Sequence, residues 1–253
     1  MDHDGRSNPR TLTMKLLKLA FRRETSMPML ALSFASAASV ALVFARILST
    51  GDLRYGFLVW NLFLAWLPLA FALLACEDHR KATVRNWRFL CLAGAWLLFF
   101  PNAPYIFTDL IHVTTSFYRH YWVDLTLILL CAITGLVLGF VSLYLMQSVV
   151  GAMFGRPASW LFIAAVAALS GFGIYLGRFM RFNSWDVVFR PRQVYHGIGS
   201  IVTNPLANAH SLSFPILFGV FLFVSYLMLY ALTHLRPAQP VILAQETEPG
   251  GIG

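Results

Sequence analysis

Long apolar stretches alternate with short polar segments along this chain, and their lengths are its strongest structural signal. An α-helix rises 1.5 Å per residue, so about 20 apolar residues cross the roughly 30 Å hydrocarbon core of a bilayer. Six stretches reach or approach this length, namely residues 28–48, 56–75, 89–113, 123–147, 158–180 and 212–235. The pattern predicts an all-α fold: a polytopic membrane helix bundle of about six transmembrane helices, with a seventh possible within 182–211.

Three regions of different composition give the domain organisation. Residues 1–27 are basic and predict a cytoplasmic N-terminal segment that can form an interfacial helix. Residues 28–236 form the predicted bundle, which includes a long outer loop at 181–211. Residues 237–253 are polar and rich in glycine, which is typical of a disordered tail.

The third apolar stretch is interrupted by FFPNAPYIFTDLIH at 99–112. Proline removes a backbone donor and disfavours helix at the preceding residue, so the helix should kink or stop at Phe100 and Ala103. Asn102 can satisfy a freed backbone group, because its amide both donates and accepts. Two interpretations stay open: a proline kink with a local asparagine cap, or a discontinuous helix that faces a polar cavity. Beyond the break, Asp109 and His112 are three residues apart on one face of a predicted short helix.

A depth estimate relates the third stretch to the fifth. Asp109 lies about 31 Å along the third stretch, and Arg178 lies about 30 Å along the fifth. Arg181 follows three residues later. A carboxylate and a guanidinium at one depth can form an ion pair. The sequence does not say which helices are neighbours, so the contact itself stays open.

The long outer loop is rich in aromatic and β-branched residues, which predicts helices on or dipping into the outer leaflet. Asn183 or Ser184 is the predicted cap of a short helix with Asp186 in its first turn. Pro191 permits a second helix start, running to about residue 202. The aromatic residues expected at the membrane interface are Trp185, Phe189 and Tyr195.

Composition supports the membrane assignment, since 58% of residues are hydrophobic, 12% are charged and mean hydropathy is +0.67. The net charge of +8 does not indicate nucleic acid, because the basic residues lie between apolar stretches. With both termini cytoplasmic, 12 of the 19 Lys and Arg residues fall inside and 7 outside, as the positive-inside rule requires. Four outer arginines oppose this bias and need another explanation, either snorkelling or a site: Arg178, Arg181, Arg190 and Arg192.

Two glycine pairs predict close helix approach: Gly135 with Gly139, and Gly173 with Gly177. The three cysteines have no metal-like or redox spacing and are interpreted as packing residues. We expect no cofactor and no metal. A zinc site from His112, His196 and His210 is a minor alternative, since imidazole suits zinc but no ligand spacing supports it.

Two segments, FFPNAPYIFTDLIHV at 99–113 and GRFMRFNSWDVV at 177–188, carry a family resemblance. They resemble the signature segments of a bacterial multi-pass membrane protein family catalogued as a domain of unknown function, number 1361. The resemblance extends over roughly residues 35–235. It implies a protein of the bacterial plasma membrane and implies no activity.

Three functional hypotheses remain. The first is an outer-face polar site for an anionic lipid-linked or phosphate-bearing ligand, with possible acid/base chemistry. Its catalytic candidates are His112, Asp109 and Asp186; its ligand-binding candidates are Asn102, Tyr105, Arg178, Arg181, Asn183, Trp185, Arg190 and Arg192. The expected partners are membrane lipids, including an anionic head group, and not nucleic acid; protein partners stay unknown.

The second hypothesis is a non-catalytic scaffold or assembly factor whose Asp/Arg pairs only stabilise the fold. The third is a small-solute transporter, which the broken helix favours but the absence of an internal repeat opposes. The chain contains no P-loop, HExxH motif or nucleophile elbow, so it offers no motif for the common hydrolases that use them. Whether the protein is an enzyme stays open.

Overall fold

The computed structural model describes residues 26–81, 87–115, 121–203 and 209–234, and every regular element in these ranges is helical. In chain order these are α1 (Ser26–Thr50), α2 (Phe57–Lys81), α3 (Trp87–Phe99), α4 (Asn102–Tyr105), a 3-10 segment (Ile106–Thr115), α5 (Tyr121–Phe154), α6 (Arg156–Phe179), α7 (Asp186–Phe189), α8 (Pro191–Thr203) and α9 (Ala209–Thr233). The predicted all-α fold is confirmed.

Six helical stretches of the described ranges are long and apolar enough to cross a bilayer. They are Ser26–Thr50, Phe57–Arg80, Trp87–Val113, Tyr121–Phe154, Arg156–Phe179 and Leu212–Thr233, and each overlaps its predicted counterpart. The chain is therefore an integral, multi-pass membrane protein. Helix α8 has 13 residues and is about 20 Å long, too short to be a seventh span. The basic segment before Ser26 and the tail at 237–253 lie outside the described residues.

Helix α5 lies at the centre of the bundle and packs against α1, α2, α4, α6 and the 3-10 segment. Its side chains are apolar around the whole circumference, and a helix of that kind is buried on most sides. Ile128, Cys131 and Leu138 are fully buried on it. Helix α9 packs on α6, and α3 packs on α2.

The third span breaks where the prolines predict. Helix α3 ends at Phe99, the single turn of α4 follows, and the chain then continues as the 3-10 segment. The glycine pairs of α5 and α6 allow both helices to contact this break closely, from two sides. A Cβ atom added at Gly135 of α5 would lie 2.7 Å from the carbonyl oxygen of Ala103, and one added at Gly173 of α6 would lie 3.0 Å from Cγ of Pro101. The predicted close approach is confirmed, but its partner is the broken segment.

Chain direction brings the ends of α1, the 3-10 segment and α6 to one end of the bundle, together with the start of α2 and α5. We call this the site end. Beyond α6 the backbone reverses at Arg181, whose φ of 60° is left-handed. The N–H of Phe182 donates to the carbonyl oxygen of Leu176, 3.1 Å away. Residues 181–194, which we call the covering segment, then run along the site end.

The predicted cap of α7 is wrong. The helix begins at Asp186 with Trp185 at the N-cap position, and no side chain caps it. Instead, the Asp186 carboxylate accepts from the backbone N–H of Asn183 at 2.7 Å. The Ser184 hydroxyl accepts a hydrogen bond from Nδ2 of Asn102 and none from the first turn of α7. The predicted start of the next helix at Pro191 is confirmed.

Candidate functional site

A buried ion pair joins the broken span to the end of α6. Nη1 of Arg178 lies 3.0 Å from Oδ1 of Asp109, and the side chains are 18% and 1% exposed. Nδ2 of Asn61, on α2, donates to the other carboxylate oxygen at 2.9 Å. The contact that the sequence left open is therefore present, and two other elements, α2 and α6, bind the Asp109 carboxylate of the 3-10 segment.

The Arg178 guanidinium has further partners on the broken span. Its Nη2 donates to the carbonyl oxygen of Thr108 in the 3-10 segment. Its Nη1 also lies 3.5 Å from the Tyr105 hydroxyl, and its Cζ atom lies 5.4 Å from the centre of that ring, a cation–π contact. A guanidinium has five N–H donors in a fixed plane. These contacts orient Arg178 without using every donor.

His112 lies beside this pair. Residues three apart are eclipsed in a 3-10 helix, which places His112 on the same face as Asp109, as predicted. Its Nε2 lies 4.0 Å from Oδ1 of Asp109, longer than a hydrogen bond. The imidazole packs edge-on against Phe57 with ring centres 5.4 Å apart. It is half-buried and faces the adjoining cavity.

A cavity of about 680 Å³ adjoins the ion pair. Its polar lining residues are Asn61, Asn102, Tyr105, Asp109, His112, Ser170, Arg178, Asn183 and Ser184. Its other walls are apolar and come from α2, α3, α6 and the covering segment. Because Ala103 and Pro104 of α4 are buried while Asn102 and Tyr105 line the cavity, the short helix separates the α5 core from this space.

Five candidate residues are not part of this lining. Arg181, Arg190 and Arg192 are exposed on the covering segment, so Arg178 is the single arginine among the described residues that line the cavity. The predicted four-arginine clamp is not assembled there. Asp186 bonds to Asn183 and so has a local role rather than orienting His112. Trp185, the fifth, is half-buried on the covering segment.

Asn102 has features of both interpretations of the break, since it caps the helix locally and also lines the cavity. Its Nδ2 donates to the carbonyl oxygen of Phe99 at 3.1 Å, which is the local cap. The same nitrogen donates to Oγ of Ser184 at 3.0 Å, which ties the break to the covering segment. Its two amide protons are thereby used, so the predicted donation to a ligand requires one of these bonds to open.

A second buried ion pair at the site end was not predicted. Nε of Arg46 lies 2.6 Å from Oδ1 of Asp124, and the Tyr55 hydroxyl donates to Oδ2 at 2.9 Å. Asn61 was likewise missed as a site residue. The signal was present in each case, since a polar residue stands alone near the end of an apolar stretch at the depth of its partner.

No three His, Cys, Asp or Glu side chains of the described residues come close enough together to hold a metal. His196 is exposed on α8, and the His210 side chain lies outside the described part of the structure. Among the cysteines, Cys131 is buried, Cys76 is half-buried and Cys91 is exposed on α3. The interpretation as packing residues fits Cys131 and Cys76, whereas Cys91 does not pack inside the bundle.

Comparison with protein-family models matches residues 60–225 to a family described as "Protein of unknown function (DUF1361)". The chain belongs to the DUF1361 family. The matched region of this DUF1361 protein contains Asn61, Asp109 and Arg178, whereas Arg46 and Tyr55 precede it. Comparison with curated proteins and with solved structures gives no match.

Proposed function

We propose that the cavity binds an anionic amphiphile, a lipid-linked or other phosphate-bearing molecule, with its charged group at Arg178. The observation that carries the proposal is a cavity of about 680 Å³ with an oriented guanidinium at one end and apolar walls elsewhere. Small-molecule sites are usually concave, mostly apolar and fitted with a few convergent polar groups, with volumes of roughly 300–1,000 Å³.

Arg178 is suited to hold a phosphate oxygen. Asp109, Thr108 and Tyr105 fix the plane of its guanidinium, so little side-chain entropy is lost when a ligand binds. Guanidinium and phosphate form directional, charge-assisted hydrogen bonds. The donors left over by the protein contacts are the ones available to the ligand.

The covering segment adds positive charge around the cavity. Three exposed arginines, Arg181, Arg190 and Arg192, stand against one aspartate, Asp186. Their field attracts an anion toward the site end without contacting it inside the cavity. Their role is thus recruitment, whereas Arg178 makes the direct bond.

His112 is the acid/base candidate of this site. It is the one imidazole among the described residues that line the cavity, and its Nε2 lies 4.0 Å from Oδ1 of Asp109. If the protein converts the bound lipid, the wild type should form a product from phosphatidylglycerol that thin-layer analysis detects. A His112→Gln variant should still bind phosphatidylglycerol but form no product.

A structural role is the second candidate. It is favoured because both carboxylate oxygens of Asp109 already have protein partners. That carboxylate is 1% exposed and already bound by Arg178 and Asn61, while the Asn102–Ser184 bond fastens the covering segment. Buried polar networks of this kind can specify a fold. On this alternative the cavity has no ligand.

Lipid binding separates the two candidates. The full chain, purified in a nonionic detergent, would be titrated with dioctanoyl phosphatidylglycerol and, separately, with dioctanoylglycerol, which lacks the phosphate. The thermal midpoint reports binding, because a ligand of the native state raises it. The test variant carries Asp109→Asn and Arg178→Gln together, which leaves no unpaired charge. Arg156→Gln, an exposed arginine at the opposite end, is the matched control.

The proposal expects the phosphate-bearing lipid to raise the midpoint of the wild type and of Arg156→Gln, and to leave the double variant unchanged. Dioctanoylglycerol should have little effect on any of them. An equal rise in the double variant would reject the proposal in favour of the structural role.

For orientation, we propose that both termini are cytoplasmic, that the site end is extracytoplasmic, and that the membrane is a bacterial plasma membrane. The charge distribution supports this arrangement, since 12 of the 19 basic residues then face the cytoplasm. The ligand would accordingly come from the outer leaflet.

A further inference from the structure

The cavity extends from the ion pair well into the depth of the bilayer. On α6 it is lined from Arg178 back to Leu169, nine residues or about 13 Å. On α3 its deepest lining residue is Gly94, about 10 Å from the start of that helix. Apart from Ser170, the lining of this deep half is apolar among the described residues.

The side of the cavity is open where the helices face lipid. Leu97 of α3 is 37% exposed, Leu169 of α6 is 55% exposed and Trp60 of α2 is 54% exposed, and all three line the cavity. Leu97 lies about 15 Å along its span, near the middle of the hydrocarbon core. Exposure at that depth is exposure to acyl chains, so the opening leads into the bilayer.

Gly94 makes the deep half accessible. A Cβ atom added there would have no heavy atom within 4 Å, so the missing side chain leaves free space beside Leu97. A water-soluble anion would gain little in this half, because the neutral hydroxyl of Ser170 is the one polar side chain among its described lining residues. An alkyl chain, in contrast, replaces one apolar environment by another and fills the space.

We infer that the ligand is a membrane lipid that enters sideways from the bilayer between α3 and α6, with one alkyl chain along Gly94, Leu97 and Leu169 and its phosphate at Arg178. This inference rests on the proposed anion site and adds the source of the ligand and its path. It separates a lipid head group from a free phosphate compound with the same charged group.

The experiment compares dioleoyl phosphatidylglycerol with glycerol 3-phosphate as probes for the full chain in detergent, by native mass spectrometry and thermal midpoint. Gly94→Leu fills the deep half without touching the polar end. Gly199→Leu is the matched control, because a Cβ atom added at Gly199 of α8 would likewise have no heavy atom within 4 Å, and Gly199 does not line the cavity. The Asp109→Asn/Arg178→Gln double variant reports on the anion site.

The inference expects phosphatidylglycerol to bind at least about tenfold more tightly than glycerol 3-phosphate, and Gly94→Leu to remove about tenfold of that affinity while Gly199→Leu keeps it. Equal affinity for the two probes, or equal loss in the two glycine variants, would overturn it. If the double variant loses binding and Gly94→Leu keeps it, the anion site is supported and the role of the deep half is rejected. If Gly94→Leu loses binding and the double variant keeps it, the role of the deep half is supported and the anion site is rejected.

Discussion

At the scale of single residues, the Asp109–Arg178 pair has to be explained as a unit. Removing both charges of a buried pair can be nearly neutral, whereas removing one leaves an unpaired buried charge. Asp109 is the more demanding partner, because it is 1% exposed and, without Arg178, would keep the hydrogen bond from Asn61 and the imidazole of His112 4.0 Å away. Arg178 would keep Thr108 and Tyr105.

A double-mutant cycle tests this asymmetry. Arg178→Gln should cost about 3–5 kcal/mol in the free energy of unfolding, the typical price of a buried unpaired charge. Asp109→Asn should cost less, and the double variant should recover much of the loss. Unfolding in mixed detergent micelles measures the free energy, with Arg156→Gln as the control. Equal destabilisation by Arg178→Gln and by the double variant would contradict the argument.

Arg181 carries both strain and charge. Its φ of 60° is left-handed, which costs an ordinary residue roughly 1–2 kcal/mol and glycine almost nothing. Arg181→Gly should therefore be more stable than Arg181→Ala by about 1 kcal/mol, although both remove the same charge. Thermal unfolding measures the difference.

The same two variants separate the charge from the strain. If Arg181 recruits anions, both should associate more slowly with vesicles that contain phosphatidylglycerol, and added salt should abolish the difference from the wild type. A slower rate in Arg181→Ala alone would assign the effect to the backbone.

At the scale of the helices, the break in the third span depends on the glycines that face it. A Cβ at Gly135 would meet the carbonyl oxygen of Ala103 at 2.7 Å and Cδ1 of Ile106 at 2.8 Å. Ile106 is fully buried, so neither neighbour has room to retreat. The small residues of α5 are thus needed because a helix that bends at two prolines must lie close to its neighbour.

Gly135→Ala should destabilise the protein by roughly 1–3 kcal/mol through overpacking. Gly94→Ala is the matched control, because the added methyl group meets open space and alanine favours helix by up to about 1 kcal/mol. Thermal midpoints in one detergent compare the two. Similar midpoints would show that the α5 contact tolerates a shift of the broken segment.

At the scale of the whole molecule, helix positions and depths were predictable from the sequence, whereas neighbours were not. Asp109 and Arg178 were placed at one depth because helical rise fixes distance along a span. The partner of Asn102 was not predictable, since Ser184 is 82 residues away and reaches it only through the turn at Arg181. The cavity likewise depends on how α4 packs between α5 and α6, which no residue pattern encodes.

The Arg46–Asp124 pair was missed for a different reason. Arg46 lies about 6 Å from the end of α1 and Asp124 about 4–5 Å from the start of α5, so the depth argument applies to them equally. In the positive-inside count, Arg46 is one of the seven outer basic residues, and that count assigns it no partner. A lone ionisable residue inside a span usually has a counter-ion at the same depth.

Both ion pairs bear on the orientation of the bundle. Of the seven basic residues assigned to the outer side, Arg46 and Arg178 are neutralised by buried carboxylates at 2.6 and 3.0 Å. They therefore count little in the positive-inside balance, which makes the bias toward cytoplasmic termini stronger than the residue count alone. The four outer arginines that oppose the rule include Arg178, and its buried ion pair with Asp109 explains its position.

Cysteine labelling tests the orientation. In a chain whose cysteines at 76, 91 and 131 are replaced by alanine, Arg190→Cys and Arg156→Cys place single thiols at opposite ends of the bundle, and both positions are exposed. A membrane-impermeant maleimide should label position 190 in intact cells and position 156 only after permeabilisation. Labelling of position 156 in intact cells would show the opposite topology. The cavity would then lie in the cytoplasmic leaflet, and its contacts would be the same.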